Sequence, residues 1–76
     1  MITTTINIKS HMLGHYISMT SHKQAAFIRR EGFNCDVTIF ENHLGESVIL
    51  LNERQYTRLI SYLLPKWESE GNVDVK

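Results

Sequence analysis

Two stretches of the chain share one grammar, His11 to Gln24 and Asn42 to Gln55. From Leu13 onward they align at a constant offset of 31 residues, which superposes Gly14 on Gly45 and Gln24 on Gln55. A recurring unit constrains a fold strongly, because each copy must bury the same face against the same kind of neighbour. Each unit is preceded by an alternating apolar segment, so each half reads as strand, turn, strand, helix.

In the first half Thr4, Ile6 and Ile8 alternate with Thr5, Asn7 and Lys9, the two-residue period of a strand whose faces see different environments. Ser10 to Gly14 supplies a turn. Ile17 and Met19, alternating with Tyr16, Ser18 and Thr20, make a second strand that folds back as a hairpin. Ser21 then opens a helix with Gln24 at the capping-box position, and Gly32 closes it. In the second half Cys35, Val37 and Ile39 alternate, Asn42 to Gly45 turns the chain, Val48 and Leu50 extend the apolar face, and Asn52 caps a second helix. There Tyr56, Leu59, Ile60, Leu63 and Leu64 form a stripe of helical period, which Pro65 ends.

The offset carries Ile6 onto Val37, Ile8 onto Ile39, Ile17 onto Val48 and Met19 onto Leu50, apolar onto apolar at each inward strand position. The helices match less well: Ala25 and Ile28 meet Tyr56 and Leu59, whereas Phe27 meets Arg58. The expected fold is α+β, a ββαββα chain with a four-stranded antiparallel sheet, both helices on one face, and an internal repeat. Residues 1–66 form this single domain. Trp67 to Lys76, with Glu68, Glu70 and Asp74 around Gly71, reads as a flexible acidic tail.

A chain of 76 residues lies near the size at which one core only just offsets the entropy of ordering, so association would help it. Its eight basic and eight acidic residues cancel, which argues against a strong sequence-independent attraction to phosphate. The single cysteine, Cys35, has no partner for an internal disulfide, and its place in an alternating pattern reads as a buried thiol in a reducing cytoplasm. Met1 to Ser10 has neither the basic start of a signal peptide nor the apolar length of a membrane span.

Three histidines, His11, His15 and His22, fall close together, and with His43 they invite a zinc or nickel reading. Against it, His11 and His15 bracket a turn, His22 starts a helix, and no acidic or cysteine ligand lies nearby. They read instead as polar turn residues, and neither a metal nor another cofactor is expected. No serine or cysteine has a base and an orienting acid at a recognisable spacing, and no glycine-rich loop could cradle phosphate, so no enzymatic activity is expected.

From Phe33 to Asn52 a hairpin leads into a capped helix, and His15 follows Gly14 ahead of a helix. In this the chain resembles the HPr phosphocarrier family. The resemblance implies a βαββα alternative and a phosphocarrier role centred on His15. That family's active-site histidine is followed by an arginine and a proline; here Tyr16, Ile17 and Ser18 follow, and its regulatory serine would fall at Asn52.

Lys23, Arg29 and Arg30, with His22 on the same helix, form the only basic cluster. They could grip phosphate or an acidic surface, which makes a small nucleic-acid-binding regulator the alternative function. A solvated helix face accounts for them better, given the neutral total charge. On the outer face of the sheet, Tyr16, Phe40, Ile49 and Leu51 alternate with the inward set, and Phe27 falls off the core phase of its helix. An open antiparallel sheet ordinarily wets that face. Four large apolar residues there call for a cover, either a protein partner or the tail or first turn folded across. The chain thus reads as a small cytoplasmic, non-enzymatic accessory or phage-type regulatory protein that binds protein through this face and forms a homodimer.

Overall fold

The computed structural model describes residues 4–12 and 14–75. Its elements follow in the order β1 (Thr4–His11), β2 (Gly14–Met19), α1 (His22–Phe33), β3 (Ile39–Glu41), β4 (Ser47–Leu51), α2 (Glu53–Arg58), a π-helical turn (Leu59–Leu63), α3 (Leu64–Ser69) and β5 (Val73–Val75). The class is α+β, as the alternating segments imply. The sheet differs from expectation in having five strands in place of four and in being mixed, with order β3-β4-β2-β1-β5. Two strands precede α1, so the βαββα order implied by the HPr resemblance is not the one observed.

The first hairpin pairs Ile8 with Ile17 and closes at His11 and Gly14, where a φ of 136° favours glycine. The second is organised by Asn42, whose Oδ1 accepts from the backbone amides of Leu44 and Glu46 at 2.9 and 3.0 Å. Such a side chain imitates a backbone turn, the reason asparagine marks turns in a sequence. Between the hairpins, β2 pairs with β4 in antiparallel register, Ile17 with Ile49 and Tyr16 with Leu50.

That register corrects the expected faces of β4. Ile49 and Leu51 point towards the helices and are buried in the core, whereas Val48 and Leu50 lie on the outer face beside Tyr16 and Phe40. The physical reason lies in the sequence itself: Val48 to Leu51 are four consecutive apolar residues, so alternation cannot say which pair faces inward. A one-residue error of phase exchanges every side chain between faces.

Both helices pack on one side of the sheet. Ala25, Ile28 and Phe33 of α1 join Leu59, Leu63, Leu64 and Trp67 over Ile6, Ile17, Met19, Ile49, Leu51 and Val73. Gly32 does not end α1. The helix continues to Phe33, and Asn34 and Cys35 take the left-handed conformation beyond it. Gly32 instead admits Trp67, since a Cβ there would stand 2.9 Å from the indole Cη2. Cys35, displaced from the strand by this ending, is exposed and not buried as expected.

Pro65 likewise fails to stop the second helix. A proline ring within an α-helix clashes with the carbonyl four residues back, here that of Ser61, and leaves that carbonyl without its donor. The chain carries the proline just after a wider turn, in which the Leu64 amide reaches back five residues to the Leu59 carbonyl. Leu59 and Leu63, four residues apart, share the inward face as they would in a regular helix, while Ile60, counted in the apolar stripe, is 43% exposed.

The stretch expected to be an acidic tail is part of the fold. Trp67 is buried, the Asn72 amide donates to the Trp67 carbonyl, and Thr4 donates to the Asn72 carbonyl, leading β5 alongside β1 in parallel. Its acidic residues concealed a short alternation, Val73 and Val75 inward with Asp74 outward. Among the described residues no helix is long and apolar enough to cross a membrane.

Candidate functional site

The side of the sheet away from the helices carries an apolar patch assembled by register from three strands. Tyr16 of β2 stands opposite Leu50 of β4, and Val48 stands between Ser18 of β2 and Phe40 of β3. In the middle Val48 and Ser18 are buried, whereas Phe40 and Leu50 at the margins are 41% and 52% exposed. Tyr16, Phe40, Val48 and Leu50, with Gly14, Asn42 and His43 at one end, line a shallow depression of about 250 Å³. The buried Ser18 hydroxyl has no hydrogen-bond partner among the described residues, an uncompensated cost on a face otherwise built for apolar contact.

Of the residues expected on this surface, the structure brings together Tyr16 and Phe40. Ile49 and Leu51 are removed from it by the phase of β4, and their places are taken by Val48 and Leu50. Phe27 is exposed on α1, on the helical side, and belongs to a different groove lined by Thr4, Lys23, Gln24 and Asn72. The basic cluster also divides. Lys23 and Arg30 are exposed, but Arg29 is partly covered and its Nε is buried without a partner among the described residues.

A second arrangement was not visible in the sequence. His15 sits near the start of β2, on the inner face and not at a helix N-terminus. Its ring stacks on Tyr56 of α2 at 3.6 Å between centroids and 9° between planes. Its Nδ1 lies 2.8 Å from Ser10 Oγ and its Nε2 lies 3.0 Å from Glu53 Oε2. Both ring nitrogens of His15, the residue that the HPr resemblance singled out, are thus engaged in hydrogen bonds. Local spacing could not reveal this set, because Glu53 arrives from 38 residues away and only the β2–β4 pairing brings α2 above His15. The capping box Asn52–Gln55 is the one legible part, for it places Glu53 at the first helical position.

His22 and His43 are exposed, on α1 and in the second turn, and the side chain of His11 lies outside the described residues. Among the described residues no three histidine, cysteine, aspartate or glutamate side chains converge as metal ligands would. The chain matches no family model, and no curated protein or solved structure matches it.

Proposed function

We propose that this protein works by binding protein through the outer face of its sheet, and that a second copy of the chain is its first partner. The observation that carries the reading is the continuity of Tyr16, Phe40, Val48 and Leu50 across three strands on the face opposite both helices. Two copies could meet through this face about a two-fold axis, as sheets stack face to face through side chains of this kind. Association would also remove exposed Phe40 and Leu50 from water, a gain that matters in a chain with so small a core.

The test is sedimentation velocity across a concentration series. The wild type should sediment as a dimer, and the double variant Phe40→Ser, Leu50→Ser should be monomeric with an unchanged circular dichroism spectrum. A wild type that stays monomeric at the highest concentration, or a variant that dimerises as strongly, overturns the homodimer. A second reading rests on the groove in which Lys23 and exposed Phe27 come together, since a cation beside an aromatic ring suits single-stranded nucleic acid. In the same samples it would appear as binding of single-stranded DNA that weakens with salt.

A further inference from the structure

We propose that Ser10, His15 and Glu53 form a nucleophilic site at which Ser10 accepts acyl groups from small activated esters. The site lies on the helical side of the sheet and stands independently of the binding face.

The hydrogen-bond polarity carries the proposal. An ionised carboxylate only accepts, so at 3.0 Å Glu53 Oε2 accepts a hydrogen bond from His15 Nε2–H, which keeps the proton and fixes the imidazole tautomer. The Nδ1 lone pair is then free to accept, and the Ser10 hydroxyl is the donor at 2.8 Å. Nucleophile, base and orienting acid are recognised by these mutual roles and not by their order in the chain.

Each member is held by a different element. Ser10 and His15 are partners in the β1–β2 register, so the sheet sets their contact. Glu53 is the first residue of α2, and the Asn52–Gln55 capping box fixes where that helix starts. Tyr56, one turn along, stacks on the imidazole and prevents it from turning away. The same aromatic face stabilises the ring when it becomes cationic. Glu53 is 81% exposed, so its ion pair with His15 contributes little to stability, and its consequence is orientation. Ser10 is exposed too, which leaves its remaining lone pair open to an incoming carbonyl.

In the first step Ser10 Oγ bonds to the ester carbonyl carbon while its proton passes to His15 Nδ1, and Glu53 faces the resulting imidazolium. The tetrahedral adduct collapses, the bond to the leaving oxygen breaks, and that oxygen takes the proton from Nδ1. Water then adds to the acyl-serine, giving its proton to Nδ1. Collapse releases the carboxylic acid and returns the proton to Ser10. Ester and water become acid and alcohol, with no further reactant. Ser10 and Glu53 are both exposed, so the site is open to small acyl groups on good leaving groups.

The experiment treats the folded protein with a fluorophosphonate probe and maps the label by peptide mass spectrometry, alongside hydrolysis of p-nitrophenyl acetate. Label is expected on Ser10 of the wild type and at least tenfold less in His15→Phe, which keeps a ring against Tyr56 but has no base. Glu53→Gln keeps an acceptor without the charge and should label severalfold more slowly. An unlabelled Ser10 in the wild type, or equal labelling in a folded His15→Phe, overturns the proposal. Should His15→Phe fail to fold, unchanged labelling of Glu53→Gln overturns it instead.

Discussion

The two halves of the molecule agree in their punctuation and disagree in their faces. Each runs through a hairpin into a capped helix, and the caps, Ser21 and Asn52, stand at the same 31-residue offset as the turn glycines Gly14 and Gly45. In the first half Thr20 separates the last inward strand residue, Met19, from the cap. In the second, inward-facing Leu51 adjoins Asn52 directly. That one residue is enough to reverse the alternation, so Val48 and Leu50, aligned with Ile17 and Met19, face the opposite way. Repetition of turns and caps is therefore not repetition of a core. The first records local backbone chemistry, whereas the second depends on which strand lies alongside.

Removing that difference should have the largest effect. Deletion of Thr20 gives the first half the spacing of the second and either turns Ile17 and Met19 outward or pulls α1 off the core. Circular dichroism on heating should then show no cooperative transition, and a near-normal melt would show that the spacing between strand and cap does not set the phase. Next in size is the contrast between neighbours in β4. Ile49→Ala should cost about 2–5 kcal/mol as a core truncation. At concentrations at which the chain is monomeric, Leu50→Ala should change stability by about 0.5 kcal/mol or less, as at other surface positions. Urea unfolding of both variants checks this, and the reverse ranking would restore the phase implied by the repeat. The smallest contrast is between the caps. At Asn52 the side chain accepts from the Gln55 amide at 2.8 Å and the Gln55 side chain returns the bond at 2.9 Å, whereas Ser21 accepts from Gln24 at 3.4 Å. Asn52→Ala should cost about 1–2 kcal/mol and Ser21→Ala about 0.5–1 kcal/mol, read from the same denaturant curves.

The helical ends extend the contrast. In α1 the expected stop, Gly32, serves as the seat of Trp67, and the left-handed ending falls at Asn34 and Cys35. In the second half the expected stop, Pro65, is carried through by the π-helical turn, and the chain goes on to supply Trp67 and β5. Gly32 and Pro65 are strong local signals, yet a partner across the core decided what each does. The gap left by a missing Cβ is filled by an indole, and the proline is carried within a helix that widens just before it.

Part of the candidate surface was legible for the same reason that the caps were. Tyr16 alternates cleanly with Ile17 and Met19, and Phe40 adjoins inward-facing Ile39, so period two places both outside. Val48 and Leu50 could not be separated from Ile49 and Leu51, because an unbroken apolar run carries no period. The contacts of His15 were invisible for another reason, since Ser10, Glu53 and Tyr56 meet it only after three elements have docked.

The sequence by itself determined where the chain turns, where its helices begin, and where its apolar runs lie, because turn conformation, capping and hydrophobicity act within a few residues. The tertiary structure alone decided which apolar residues of β4 reach the core, that Trp67 and Val73 belong to it, and that Ser10, His15 and Glu53 converge. Those outcomes depend on register and docking between segments far apart in the chain, and no local spacing encodes the identity of a distant neighbour.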